Sequence, residues 1–265
     1  QQIGYTSKYA SLWGDENTIN PERIKVNKYI SQQSNDISHG VDNDGWGDQG
    51  IMFGMAINNK ETGYMPIDHY YAKRLCNTLY ESRIGGIDIK TQVVMDGGSV
   101  KKVVVAIPMI NDISGKVEDI VRDTIKGNYD LIINGTGKYT KHASIGDCGT
   151  TGRKLVVDLY GGNCNIGGGS PWTKDGTKAD LTLNLYARWV ALKYVKETGC
   201  KYAKCGVECS IGRRSITVAI WDDANNLVHN SKIDVTPSEL IKQFGLDKPI
   251  YAELCKNGLF SKIMV

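Results

Sequence analysis

The residues best suited to chemistry in this 265-residue chain crowd into one stretch, Gly146 to Asp180. It reads Gly146-Asp147-Cys148-Gly149, Thr151-Gly152-Arg153-Lys154 and Asp158-Leu159-Tyr160-Gly161-Gly162, followed by Gly167-Gly168-Gly169 and Lys174-Asp175-Gly176-Thr177-Lys178-Ala179-Asp180. Glycines let a backbone approach a ligand closely and turn N–H groups toward its oxygens. Arg153, Lys154, Lys174 and Lys178 supply cationic charge. Asp147 and Asp180 are carboxylates of the kind that hold Mg²⁺, a hard cation that prefers carboxylate and phosphate oxygens. These are the requirements of a polyphosphate site. A glycine-rich surface loop with solvated charges has the same composition, and residue types alone leave both readings open. The stretch is neither a P-loop nor a dinucleotide fingerprint, because no Lys-Ser or Lys-Thr follows the glycines at the required distance. A second pair, Asp88 and Lys90, alternates along one strand and reads equally well as a surface pair.

The elements that must position these groups follow from hydrophobic spacing. The longest helix is expected over Thr177 to Thr198, with Leu181, Leu185, Trp189, Leu192 and Val195 on one face and Gly199 closing it. Lys178 and Asp180 then sit at its start, where the helix dipole favours an anion. Upstream, Ile51 to Ile57 reads as a strand and Asp68 to Ser82 as a helix with Tyr71, Leu75, Thr78 and Leu79 at helical spacing. Ile87 to Met95 and Val100 to Pro108 read as strands joined at Asp96-Gly97-Gly98. Val117 to Lys126 reads as a helix ending at Gly127, and Leu131 to Ile133 as a short strand. Further on, Leu155 to Leu159, Tyr202 to Cys209 and Ser215 to Trp221 read as strands. Pro237 to Phe244 reads as a helix capped by Thr236 with Glu239 completing a capping box. Residues 1–47 are polar and read mainly as loop. The order strand, helix, strand, strand, helix thus occurs twice. It predicts an α+β fold of two similar units, each with helices on one face of a mixed sheet.

Lys and Arg total 32 against 29 Asp and Glu, a net charge of +3, which argues against a general nucleic-acid binder. No apolar run is long enough for a membrane span; the best candidate, Val103 to Ile110, contains Pro108. No secretory signal is expected. The seven cysteines, Cys76, Cys148, Cys164, Cys200, Cys205, Cys209 and Cys255, are scattered and form no CxxC, which fits reduced thiols in the cytoplasm. Cys205 and Cys209 alternate along a strand and read as core rather than zinc ligands.

Gly-Asp-Cys-Gly-x-Thr-Gly-Arg-Lys from Gly146, Asp-x-Tyr-Gly-Gly from Asp158, and Gly-Gly-Gly followed by Lys-Asp-x-x-Lys-x-Asp are similar to the C-terminal signature of S-adenosylmethionine synthetases. Gly47-Asp48-Gln49-Gly50-Ile51-Met52-Phe53-Gly54 and Asp88-x-Lys90-Thr91-Gln92-Val93 resemble two further family segments. Gln33-Ser34-x-Asp36-Ile37 and Asn134-x-Thr136-Gly137 fall in family order, so the resemblance runs from about residue 3 to about residue 260. It implies a transferase of S-adenosylmethionine biosynthesis and one-carbon metabolism, a methionine adenosyltransferase. In such enzymes the methionine sulfur attacks C5′ of ATP, and the displaced triphosphate is hydrolysed to pyrophosphate and phosphate. The partners implied are ATP and L-methionine, with no nucleic acid and no membrane. The resemblance implies that Lys90, Arg153, Lys154 and Lys174 grip the triphosphate, with Arg153 serving the hydrolytic step. It places Asp88 at the ribose, Tyr139 at the adenine, Lys138, Ser170 and Ile211 near ATP, and Asp147 between nucleoside and methionine. Gln33, Asp48 and Lys178 would orient methionine, and Asp180 would bind Mg²⁺. It further implies a homodimer or higher assembly with Ile211 reaching across, and a division into 1–41 (remnant of an N-terminal domain and lid loop), 42–140 (central domain) and 141–265 (C-terminal domain).

Several positions depart from the family pattern. The chain opens on Gln1, which does not look like a natural start, and the family's Gly-His-Pro-Asp-Lys segment, with its catalytic histidine, is not in this sequence. None of His39, His69, His142 and His229 stands in such a segment. The lid, Ser38 to Gly47, is short. Ser170-Pro171-Trp172-Thr173 replaces a group that lies near the family's potassium site, so K⁺ is the weaker of the two metal expectations. Arg213-Arg214 replaces a neutral stretch. Two functions remain open here. One is an active methionine adenosyltransferase whose first segment comes from a companion chain or from residues removed from this one. The other is a catalytically incomplete relative that binds nucleotide or assembles with another subunit.

Overall fold

The structure, a computed structural model, describes residues 2–31 and 43–261. The chain forms two compact units, Gln1–Tyr29 with Ile67–Thr150 and Ile30–Pro66 with Thr151–Val265. Both combine helices with a sheet, which gives the α+β class expected.

In the first unit, helix α1 (Ser7–Trp13) starts at Thr6, whose hydroxyl accepts from Tyr9 N–H at 3.1 Å. This helix is not among the elements expected in the mainly loop stretch 1–47: only Ala10 and Trp13 are buried, too few apolar positions to announce a period. Helix α2 (Ile67–Ser82) buries Leu75 and Leu79. Strands β1 (Gly50–Ile57), which belongs to the second unit, and β2 (Lys90–Asp96) and β3 (Ser99–Ala106) follow the apolar runs. β2 and β3 pair antiparallel across Gly97 and Gly98, whose φ values of 55 and 83 lie in the left-handed region that a tight hairpin turn requires. Helix α3 (Ser114–Thr124) buries Val117 and Val121 and stops at Ile125, short of Gly127. β4 (Asp130–Ile133) pairs parallel to β3, so the sheet β2-β3-β4 is mixed. Leu75, Leu79, Val103, Val105, Val117 and Val121 share its core. A short helix α4 (Ala143–Gly146) closes the unit.

The second unit holds the sheet β1-β5-β6-β7, antiparallel throughout, formed by β1 with β5 (Tyr202–Cys209), β6 (Ser215–Trp221) and β7 (Leu227–Asp234). β1 therefore pairs with a strand about 150 residues later in the chain rather than with its sequence neighbours, and the expected twofold repeat of element order is not carried by separate sheets. The expected strand at Leu155 to Leu159 is instead a helical turn, α5 (Leu155–Asp158). Its valines gain nothing from a strand, because no sheet edge is offered to them: Val156 and Val157 are exposed, and Leu159 alone is buried. α6 (Ala179–Thr198) is the long helix, ended by Gly199 in the left-handed conformation. It packs on β1 and β5. A Cβ at Gly54 would fall within the backbone of Ala187 and Arg188, so glycine is what lets strand and helix come this close. Arg188, wholly buried, donates to the carbonyls of Tyr64 and Gly63 at 3.1 Å each and to that of Met55, fixing the turn after β1. α7 (Pro237–Phe244) has the expected capping box from Thr236 and Glu239, and α8 (Tyr251–Asn257) follows it.

Candidate functional site

At the start of α6 a lysine, a buried aspartate and a glycine loop meet. Asp180 lies in the first helical turn and is buried. Its Oδ1 accepts from Gly169 N–H at 2.8 Å, and its Oδ2 is paired with Lys174 Nζ. A Cβ at Gly168, where φ is 74, would sit 2.9 Å from Asp180 Oδ1. A Cβ at Gly169 would sit 2.9 Å from Oδ2 and 3.1 Å from Lys174 Nζ. The glycines are thus required by the carboxylate and ammonium that fill the space beside them. The loop is held from the other side as well: a Cβ at Gly167 would overlap the Ile51 carbonyl of β1. Thr182 Oγ1 donates to Gly176 O at 2.6 Å and ties the preceding turn to the helix.

Around this centre the other residues of the second unit are looser. Arg153 and Lys154 are exposed on the turn before α5. Gly152, with φ 84, brings that turn against Ser170, 2.9 Å from where its Cβ would be. Ser170 accepts a long hydrogen bond from Thr173 at 3.4 Å. Lys178 is half-buried; burial alone would raise the Asp175 carboxyl, but hydrogen bonds from Thr177 and, after them, the Lys178 charge outweigh it and hold that carboxyl below its ordinary range. Asp48 is exposed and accepts from Gln49 N–H at 2.8 Å, while its carbonyl receives the Cys209 thiol at 3.5 Å. Burial, then Glu208, Asp48 and Asp180, push that thiol up to about 12, so Asp48 and Asp180 act on one buried sulfur. Ile211 is half-exposed on the β5–β6 turn, which is fixed to the Asp48 segment by Trp46 N–H to Arg213 O at 2.9 Å and Gly212 N–H to Trp46 O at 2.7 Å. Gln33 lies outside the described residues.

The first unit collects Asp88, Lys90, Lys138, Tyr139 and Asp147 differently. Asp88 Oδ2 accepts from Ala143 N–H at 2.9 Å and so pins the start of α4. Asp147 ends the same turn, its N–H bonded to Ala143 O at 3.0 Å, and its side chain is exposed. The Tyr139 phenol is pushed up to about 12 by burial and, next, by the Asp88 charge beside it. Lys138 Nζ donates to Ile110 O at 2.9 Å. Lys90, the first residue of β2, is exposed. His142 is enclosed. Its Nδ1 bonds Thr140 O at 2.7 Å, its Nε2 the Tyr9 hydroxyl at 2.8 Å, and the Trp13 ring packs edge-on at 4.8 Å. A carbonyl only accepts, so Nδ1 carries the proton and Nε2 accepts from Tyr9. The Tyr9 oxygen in turn receives Ile87 N–H at 3.1 Å. His142 is a structural tie. Sequence reasoning missed two participants, Tyr9 and Asn184, whose Nδ2 donates to Asp180 O at 2.6 Å; neither stands in a spacing pattern.

The architecture places the molecule among two-unit α+β proteins in which a glycine loop and a lysine–aspartate pair meet at the start of a long helix. Residues 43–139 match the S-adenosylmethionine synthetase central domain, and residues 142–265 match the S-adenosylmethionine synthetase C-terminal domain. The chain is 31% identical over 277 residues to an S-adenosylmethionine synthase of Finegoldia magna, covering 88% of this chain and 71% of that protein. It is 32% identical over 299 residues to one of Solidesulfovibrio magneticus, covering 99% and 75%. The structure superposes on that of an unusual S-adenosylmethionine synthetase from Campylobacter jejuni with a TM-score of 0.82 and 28% identity, over 100% of this chain and 75% of the other. The chain belongs to the S-adenosylmethionine synthetase family. No helix among the described residues is long and apolar enough to cross a membrane.

Proposed function

We propose that this chain carries the nucleotide- and methionine-binding machinery of a methionine adenosyltransferase, forming S-adenosylmethionine from ATP and L-methionine with release of phosphate and pyrophosphate. The observation that carries this is the Lys174–Asp180–Gly169 cluster at the start of α6. It brings an ammonium, a buried carboxylate and a glycine loop together at the positive end of a 20-residue helix, inside the region that matches the family. Lys174 grips the triphosphate, joined by the exposed Arg153, Lys154 and Lys90 as it arrives. Arg153 serves the hydrolytic step through its two-pronged guanidinium. Asp88 takes the ribose, Tyr139 the adenine face, and Lys138 and Ser170 flank the nucleotide. Asp48, Lys178, Gln33 and Asp147 orient methionine.

Asp180 would hold Mg²⁺. Its second oxygen already sits against a cation in the free chain, so the residues present fit a positive ion there. Among the described residues no three His, Cys, Asp or Glu cluster into a protein-made cage. That suits a metal completing its shell with phosphate oxygens and water. When bound, such an ion neutralises charge on the departing triphosphate. Among the described residues the Thr173 hydroxyl donates to that of Ser170, and we assign potassium no site.

Assembly as a homodimer, with Ile211 reaching the partner's nucleotide, is part of the same reading. It is supported by the sheet face turned away from α6, where Phe53 and Trp221 meet over Gly206 and Ile51 is half-exposed. A second reading, nucleotide binding without turnover by this chain alone, is favoured by His142, whose two ring nitrogens are both engaged within the protein. Incubation with ATP, methionine and Mg²⁺, followed by chromatography for S-adenosylmethionine and calorimetry for ATP, separates the two. Product that disappears in Asp180→Ala supports turnover, and ATP binding without product supports the second reading. A chain that binds neither ATP nor tripolyphosphate would sink both.

A further inference from the structure

One turn beyond Asp180, Asn184 lies wholly buried on α6, between Leu183 and Leu185. Its Nδ2 donates to Asp180 O at 2.6 Å and to Gly167 O at 3.3 Å. Both acceptors are carbonyls, so the amide is oriented by its partners; the reverse orientation would set three oxygens together. The same orientation leaves Oδ1 buried with no hydrogen-bond partner among the described residues. A buried acceptor left unpaired is unfavourable, and an aliphatic side chain would remove the penalty. What asparagine supplies that leucine cannot is the bond to Gly167.

That bond falls where it matters. Gly167 is pressed against the Ile51 carbonyl on one side, and Gly168 has Asn184 Nδ2 3.3 Å from its Cβ position on the other. The loop therefore runs between β1 and α6 with two side chains of one helix face holding it. Asn184 holds its first glycine by the carbonyl, and Asp180 holds its third by the N–H. We infer that Asn184 is a positioning residue for the triphosphate site: it clamps the Gly167–Gly169 loop so that the Gly169 N–H and the Asp180 carboxylate keep one geometry as phosphate and Mg²⁺ arrive. This rests on the phosphate-binding reading of Lys174 and Asp180 given above.

The test uses the full chain, with inorganic tripolyphosphate titrated calorimetrically at several Mg²⁺ concentrations. Asn184→Leu keeps the volume and loses the clamp. Tripolyphosphate affinity is expected to fall about 10- to 100-fold, the cost typical of residues that orient a metal ligand, and more Mg²⁺ should be needed for half-saturation. The melting temperature should stay level or rise, since the unpaired acceptor is gone. A purely structural asparagine would give the opposite, a lower melting temperature with unchanged affinity in the folded fraction. If the leucine variant does not fold, Asn184→Ala is read by tripolyphosphate affinity and Mg²⁺ requirement alone, because the cavity it leaves lowers the melting temperature by itself. A folded variant with wild-type affinity and Mg²⁺ requirement, alongside a Lys174→Ala that has lost binding, overturns the inference and leaves the phosphate site standing. Wild type that takes up no tripolyphosphate overturns both.

Discussion

In the second unit three candidate ligand groups at the start of α6 are bonded to one another: Lys174 to Asp180, Asp180 to Gly169 N–H. In the first unit the corresponding groups are bonded to backbone: Asp88 to Ala143 N–H and Lys138 to Ile110 O, with Lys90 reaching into solvent. The first arrangement fixes charge before any ligand comes, because the helix and glycine loop have already met the entropy of holding it. In the second, Asp88 mainly holds the chain in place, Lys138 is tied to a carbonyl, and the exposed Lys90 is left to follow a ligand. One half of the set is built as a socket and the other as a frame with a movable arm.

The largest test of this contrast is at the socket. Asp180→Asn keeps the shape and removes the charge, and tripolyphosphate binding in the presence of Mg²⁺ should weaken by at least about 100-fold by calorimetry, a loss of about 2.7 kcal/mol. Lys90→Ala on the open arm should weaken it by about tenfold or less; equal losses would erase the distinction. Next is Gly54→Ala, whose added methyl would overlap α6 backbone, expected to cost about 3 kcal/mol in urea unfolding. An alanine tolerated there would mean that α6 and β1 can separate without penalty. Asp88→Ala should cost about 1 kcal/mol through the lost Ala143 contact, and its effect on ATP affinity should not exceed tenfold.

The smallest effect concerns alkaline pH. Burial pushes Cys164 up to about 11 and Cys205 and Cys209 up to about 12. The native state holds these protons more tightly than the unfolded chain, so the stability they contribute is intact below pH 9 and drains away as pH rises from about 9 toward 12. In the first unit Tyr5 and Tyr139, both pushed up to about 12, begin to contribute only above pH 10. Urea unfolding at stepped pH should therefore show stability falling first between pH 9 and 10, with Cys205→Ala flattening that part of the curve. At pH 8, a thiol reagent should label the exposed Cys148 and Cys255 well before Cys205 and Cys209, and uniform labelling would contradict the burial.

Much of the scaffold was legible because local signals agreed with it. α6 announces itself by apolar spacing and Gly199, α7 by its capping box, and the β2–β3 hairpin by Asp96-Gly97-Gly98. Leu155–Asp158 misled because β-branched residues favour a strand only where a sheet edge receives them. β7 was passed over because Leu227–Asp234 is an edge strand, polar through His229, Asn230 and Ser231 and exposed over its first four residues, so its burial alternates only in its second half. The pairing of β1 with β5 is a long-range fact that no window contains. Within the site, the charges of Lys174 and Asp180 and the glycine run stand out in the chain, but the bond from Gly169 N–H to Asp180 and the buried Asn184 amide become visible only once a loop and a helix are in contact. His142 shows the converse: a histidine near the candidate region proved to be packed among Tyr9, Trp13 and Thr140.

The near-contact of β1 and α6 at Gly54 bears on how this protein can be recombined. Ala187 and Arg188 face a strand that carries no side chain at the crossing, and Arg188 then reaches the turn that follows that strand. A chimaera that borrows α6 from one relative and β1 from another would inherit half of a fitted joint. Its two pieces, more than 120 residues apart in the chain, travel as a single heritable module.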